Sequence, residues 1–182
     1  MNPIILVGRA DCWKEDVENL KKLTLDFDVM AVGMECLYVK DIKFFVTYHI
    51  QDIVPYLNRR NSLDLNLDFK VISSKNDSRV DIVEEYGTRR SEGIKLGRKE
   101  KEPTGSSAML GSIAAIHLGY TKVILCGCPM EGKNKDGFQP YDHFQKGWVH
   151  KRELLCNYVR SMSGWTRNFL GEPTIEWLGL NM

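Results

Sequence analysis

Thr104, Gly105, Ser106 and Ser107 stand directly before an apolar run in "PTGSSAMLGSIAAIHLGY", and the β-branched segment "TKVILCG" follows at once. A helix that opens at such a place leaves several backbone N–H groups without intrahelical partners and carries a partial positive charge. With Thr104 as its cap, the third residue on is Ser107, where a capping box would carry Glu or Gln. No acid occurs from Gly105 to Leu110. The positive end is therefore not neutralised from within, and the serine hydroxyls are placed to help hold an anion such as a phosphate. Ordinary capping accounts for the same residues equally well. On residue types alone, cradle and cap stay level.

Other residues with chemistry to offer are spread along the chain. In "VGRADCW", Gly8 would let a phosphate approach the backbone, with Arg9 as its charge partner; a tight turn carrying a surface arginine is the plainer alternative. No G-x-G-x-x-G and no G-x-x-x-x-G-K-[ST] occurs, which disfavours a dinucleotide oxidoreductase or a P-loop enzyme. Imidazole suits proton transfer near neutrality, and three of the four histidines are candidates. His49 closes the strand-like "KFFVTYH", whereas His143 and His150 follow the polar loop "EGKNKDGFQPYDHFQKGW", which also holds Tyr141. His117 lies inside the apolar helix and reads as a core histidine. Gly33 and Glu131 are further candidates for contact with a phosphate or an acceptor. Cys126 and Cys128 share a face if their strand continues, and they read as buried small hydrophobes because no second thiol pair supports zinc. Glu131, Asp136, Asp142 and His143 could join a divalent cation to a nucleotide's phosphates, but they lack a ligand spacing. No resident metal is assigned; Mg2+ enters only as a companion of a bound nucleotide.

These residues need a scaffold. "PIILV" (3–7), "DVMAVG" (28–33), "KFFVTYH" (43–49) and "FKVISS" (69–74) are short apolar runs of the kind found in strands covered on both faces. Trp13, Val17, Leu20 and Leu23 recur at helical spacing. A helix over 50–59 tolerates Pro55 only with a kink or an early stop. The stretch 75–103 is dense in both signs of charge and reads as a long loop or lid, with "VDIVEEY" as a helical turn or two. The helix 104–118, a strand 121–126, the loop 127–147, a helix 148–168 and a last strand "TIEWLGL" complete the order. Strands alternating with helices imply one α/β domain over 1–182, three layers with a mainly parallel sheet and helices on both faces. Ligands in such sheets bind beyond the carboxyl ends of the strands. That rule selects Gly8–Trp13, Gly33–Cys36, Thr47–His49, Ser73–Asn76 and Gly127–Gly132.

Composition narrows the partners. With 182 residues, 43% hydrophobic, and a formal net charge of +1, the chain has enough apolar matter for one core and no global field for nucleic acid. The basic piece "GTRRSEGIKLGRKEKEP" is nearly cancelled by its own acids. No apolar run reaches eighteen residues and the N-terminus lacks a basic leader, so neither a membrane span nor a signal peptide is expected. Five cysteines, an odd number in apolar surroundings, suit reduced thiols and a cytoplasmic setting. The oligomeric state is left open.

"TGSSAMLGSIAAIHLGYTKVILCG" resembles the central segment of the bacterial CMP-sialic-acid-dependent sialyltransferases. The same segment is similar to that of the archaeal-type 6-hydroxymethylpterin diphosphokinases and the flagellin-modifying motility accessory factors. "IILVG", "DFDVMAVG" and the final "IEWLGLN" also sit where those families carry strands. The resemblance implies a Rossmann-like nucleotide-binding transferase. It places the nucleotide on Thr104, Gly105, Ser106 and Ser107. It also implies a histidine base after the "L-x-G" strand, His143 or His150 here, and a tyrosine beside the departing phosphate, Tyr141. The first loop departs from the families' "G-N-G-P-S": it reads "GRADC" and keeps Gly8 alone. Two readings follow. One is a transferase acting on a CMP-type sugar donor or moving a diphosphate from ATP. The other is a non-catalytic ligand-binding module on the same fold, which would suit a small accessory or phage-type protein.

Overall fold

A computed structural model of the chain describes residues 2–23, 26–33, 37, 39–84, 106–132 and 141–180, the side chain of residue 143 excepted. The apolar runs form the strands β1 (Ile4–Val7), β2 (Asp28–Val32), β3 (Phe44–Val46) and β4 (Lys70–Ser73). Trp13–Lys21 forms α1 between the first two. A 3-10 turn at Ile50–Asp52 leads into α2 (Ile53–Ser62). Pro55 neither kinks nor stops α2, because it falls in the first turn, where a backbone N–H has no intrahelical acceptor anyway. The described part of "VDIVEEY", residues 80–84, holds no helical turn, and its last two residues lie outside the described residues. Its Ile82–Val83 is β5, paired with Ile72 and Ser73 of β4.

The helix expected over 104–118 is α3 (Ser107–His117), capped by Ser106, whose hydroxyl accepts the Met109 N–H at 3.4 Å. Thr104 and Gly105 lie outside the described residues. After β6 (Val123–Cys126) the long helix expected over 148–168 is four elements. They are α4 (Asp142–His150), α5 (Arg152–Leu155), β7 (Val159–Ser161) and α6 (Gly164–Leu170). Trp148, Leu155 and Val159 are all buried, and their spacing imitates one helical face. Lys151, at φ −101° and ψ 10°, breaks the helix between them. "TIEWLGL" is not a strand either. Its core is α7 (Ile175–Leu178): the Thr174 hydroxyl accepts the Trp177 N–H at 3.1 Å, and Gly179 closes the turn at φ 74°.

Among the described residues seven strands run parallel in one sheet, in the order β5-β4-β3-β2-β1-β6-β7. The chain builds outward from β1 to β5, and α3 then carries it back across the sheet, packing on β1, β2, β3, β4 and β6. The neighbours β1 and β6 are thus where the winding reverses. α3 lies on one face with Leu6, Met30, Val46, Leu125 and Trp148; Gly111 sits so close to the sheet that a Cβ there would be 2.9 Å from Met30 Sδ. On the other face Leu20 of α1 and Ile53 and Tyr56 of α2 pack with Ile5, Phe45 and Ile124. Phe45 and Tyr56 stack at 3.9 Å between centroids. The layers are helix, sheet, helix, as the alternation of elements requires.

Two readings of single residues change. Cys126 belongs to one face of the core and Cys128 to the other, because β6 ends at Cys126 and Gly127 turns the chain at φ 66°. His117 is not a core histidine: its side chain is 51% exposed, and its Nδ1 lies 2.8 Å from Glu84 Oε2 at the end of β5.

At the amino ends of the strands, the Tyr120 hydroxyl donates to Asp28, which also accepts from Lys43 Nζ at 2.9 Å. Burial, then this carboxylate, pushes the Tyr120 phenol from 10.0 to about 12. The native state thus keeps a proton that the unfolded chain releases. Its contribution is complete below pH 10 and lost as pH rises through about 12. Thermal unfolding followed against pH is expected to show a shallower alkaline fall for Tyr120→Phe than for the parent; parallel curves would contradict this.

Candidate functional site

The reversal between β1 and β6 leaves a crevice at their carboxyl ends, and the loops after both strands are built to stay narrow there. The Gly8 N–H donates to the Cys126 carbonyl at 2.8 Å, and the Ala10 N–H to the Gly127 carbonyl at 3.2 Å. A Cβ on Gly8 would stand 2.4 Å from Gly127 O and from Cys128 Sγ. Behind them, the buried Asp16 of α1 accepts from the Gly127 N–H at 2.7 Å and from the Ser163 hydroxyl at 2.8 Å. The Thr166 hydroxyl donates to the Cys128 carbonyl at 2.8 Å, and the Gln145 amide to the Met130 carbonyl at 2.8 Å. This last contact holds Met130 at φ 51°, a left-handed conformation that a side chain rarely takes without support.

The result is a cleft of about 450 Å³ with three parts. Gly8, Arg9, Gly127 and the N-terminal residues Ser106 and Ser107 of α3 line its middle. Pro129, Met130, Tyr141 and Phe144 line the flank on the β6 side, which is apolar and aromatic. Gly33, Thr47, Tyr48, His49 and Asp52 line the flank on the β2 and β3 side. Thr47 is itself tied to the sheet by its N–H donating to Ile72 O at 3.1 Å, and its hydroxyl accepts the His49 N–H at 3.0 Å. The His49 carbonyl accepts the Asp52 N–H at 2.9 Å, closing the turn that carries both side chains.

The electrostatics follow from these positions. The eleven-residue α3 delivers its positive end to the middle of the cleft with no acid in its first turn. Burial, then Glu84, pushes the Tyr48 phenol up to about 12, so it stays protonated in the neutral range. Burial likewise raises the Cys12 thiol; Asp16 adds to this and the Ser163 hydroxyl opposes it. Burial carries Cys126 well above its ordinary value. Neither thiol is set up as a thiolate nucleophile at neutral pH.

Of the residues singled out in the sequence, Gly8, Arg9, Gly33, His49, Ser106, Ser107 and Tyr141 are brought to one cleft. Glu131 is exposed and does not line it. His150 is exposed at the far end of α4, eight residues or about 12 Å of helix beyond Asp142, away from the end that lines the cleft. Thr104, Gly105 and the His143 side chain lie outside what is described. Ser73, at the end of β4, is buried and also does not line the cleft. No group of His, Cys, Asp or Glu that could hold a metal ion occurs among the described residues, and Asp136 is not among them. Asp52 and Phe144 were not legible as site residues. Asp52 carried a faint signal, three residues after a strand-end histidine. Asp16 carried none, since its partner Gly127 is remote in sequence.

No helix among the described residues is long and apolar enough to cross a membrane. No family model matches the chain, and no curated protein matches it. Among solved structures, the chain is similar to the sialyltransferase CstII from Campylobacter jejuni, determined in complex with a substrate analogue, cytidine-5'-monophosphate. The two share 15% identity at a TM-score of 0.58, over 100% of this chain and 88% of that one. The likeness is one of fold and covers the whole length of the chain, a parallel α/β domain.

Proposed function

We propose that this chain is a nucleotide-binding glycosyltransferase that takes a CMP-type sugar donor. The observation that carries this reading is the cleft at the β1–β6 reversal, lined by Gly8, Gly127 and the N-terminus of α3, which has no acid in its first turn. Phosphate oxygens there would meet backbone N–H groups, the Ser107 hydroxyl and the Arg9 guanidinium. The CMP complex of the similar Campylobacter enzyme supports a cytidine nucleotide as the first ligand to try. Diphosphate transfer from ATP uses the same anion site and is a competing outcome of the test. Mg2+ would enter only with the nucleotide's phosphates.

A second reading, a non-catalytic binding module, is favoured by the first loop, where Arg9, Ala10, Asp11 and Cys12 replace the polar small residues of the resembling families. Thermal unfolding with CMP, CDP, ATP, GTP and UDP-sugars, each with and without Mg2+, tests binding first. A ligand at a hundred times its Kd stabilises the fold by about 2.7 kcal/mol, a plain rise in Tm. Ser106→Glu is expected to abolish the rise, because its carboxylate would occupy the positive end of α3. If no nucleotide raises the Tm, or if Ser106→Glu keeps the full rise, the phosphate does not bind there.

A further inference from the structure

Strand order gives the cleft a direction. Neighbouring strands stand about 4.8 Å apart, so the end of β3 lies roughly 10 Å from the end of β1. On the β6 side of the middle, Met130, Tyr141 and Phe144 offer flat and apolar surface suited to a nucleobase. On the β3 side, Thr47, His49 and Asp52 offer hydroxyl, imidazole and carboxylate. These are groups that recognise and deprotonate a hydroxyl, not groups that cover a base. His49 is exposed, and it stands on a turn fixed to the sheet through Thr47. Among the described side chains no other imidazole lines the cleft: His117 sits against Glu84, and His150 lies beyond α4's first two turns.

We infer that the turn after β3 is the acceptor end of the cleft and that His49 takes the proton from the acceptor hydroxyl, with Asp52 beside it in the same turn. This rests on the transferase reading, and it puts the base on β3 instead of on the segment after β6. The step balances within the site. The acceptor O–H gives its proton to a ring nitrogen of His49, and its oxygen forms the new bond to the sugar carbon. The bond from that carbon to the nucleotide's phosphate oxygen breaks, and its electron pair stays on the phosphate. That charge is held by the N-terminus of α3 and by Arg9. The acceptor class is therefore a hydroxyl compound, such as a glycan or water.

The test uses the full chain and separates binding from turnover. CMP affinity is measured by calorimetry, and turnover is followed as release of CMP from CMP-sialic acid, UDP from UDP-sugars and GDP from GDP-sugars. His49→Asn and His49→Ala are expected to bind CMP within about twofold of the parent and to lose at least a hundredfold in turnover, the range typical of a lost general base. Added imidazole should restore His49→Ala at least tenfold and leave Ser106→Ala unimproved, a rescue that a merely structural role would not show. The inference is overturned if His49→Asn turns over like the parent, if the hundredfold loss appears only in His143→Asn, or if CMP affinity falls in step with the rate. A parent that binds CMP and turns over no sugar donor overturns the His49 role and leaves nucleotide binding standing. A parent that binds no nucleotide removes the transferase reading itself, and the inference with it.

Discussion

Gly127→Ala is expected to lower the unfolding free energy by about 3–5 kcal/mol, from two costs at one residue. Gly127 sits at φ 66°, where any L side chain is strained by roughly 1–3 kcal/mol. The new Cβ would also stand 2.4 Å from Trp13 Cβ and 2.9 Å from the Gly8 carbonyl oxygen. Neither neighbour is the free end of a flexible chain, so relief requires β1's loop or the start of α1 to move. Overpacking of that kind typically adds about 1–3 kcal/mol. In a domain of ordinary stability, about 5–15 kcal/mol, this is a large share of the total. Gly33→Ala is the internal control: its φ is 76°, but nothing lies within 4 Å of its Cβ position. It should therefore lose only the backbone part. Urea unfolding of both variants checks the pair; equal losses would mean that the crowding at the β1–β6 reversal is not what constrains Gly127. Where Gly127→Ala remains folded, its CMP-induced rise in Tm should shrink, because Gly8 and Gly127 form the floor of the cleft.

The contrast between these glycines shows what was legible beforehand. β1, β2, β3, β4 and β6 were readable because each is an unbroken apolar run, as a strand covered on both faces must be. α3 was readable for the same reason in helical form. Element order implied a mainly parallel sheet, and the rule that ligands bind beyond its carboxyl ends picked the loops at Gly8 and Gly127 among five places. That these two loops meet comes from the pairing of β1 with β6. The carboxyl-terminal third was misread because Trp148, Leu155 and Val159 keep a helical rhythm through three different elements. Only the off-helix backbone of Lys151 and the pairing of Val159 with Val123 separate them. Thr174 and Gly179 held the true signal for α7, a hydroxyl cap and a left-handed stop around four residues, but the strand-forming residues between them outweighed it. For the site, residue types singled out Gly8, Ser106 and Ser107 in the middle of the cleft and Gly33 and His49 on its β2 and β3 flank, and missed Asp52. An aspartate in a one-turn 3-10 segment has no pattern of its own; it matters only because Thr47 and His49 fix the turn that carries it.

Arg60 is the clearest case of a residue whose type misleads, and its removal should be among the most damaging changes in the chain. It stands with Arg59 in the last turn of α2, where a basic residue ordinarily complements the helix dipole from solvent. In the structure it is wholly buried, and it donates to four backbone carbonyls: Asn66 at 2.9 Å, Val39 at 2.8 Å, Lys40 at 2.7 Å and Leu37 at 3.4 Å. Its guanidinium also lies against the Tyr56 and Phe69 rings. The segment joining β2 to β3 contains no described helix, so its carbonyls need N–H donors from elsewhere, and Arg60 supplies them to Leu37, Val39 and Lys40. Arg60→Met keeps most of the volume and removes every donor. It is expected to cost about 3–5 kcal/mol, because several backbone carbonyls lose their donor at once and a buried polar group left unsatisfied costs about 1–3 kcal/mol. Arg60→Lys keeps the charge but cannot reach the same fork of acceptors, and it should recover only part of the loss. If burial of the stem were what mattered, Met would be tolerated and Lys would offer no advantage over it. Amide exchange separates the two accounts without relying on global stability. Loss of the donors should speed exchange first at Ile42, whose N–H is bonded to the Lys40 carbonyl within the clamped segment. A loss of packing would instead be felt across Phe45, Tyr56 and the strands beneath them.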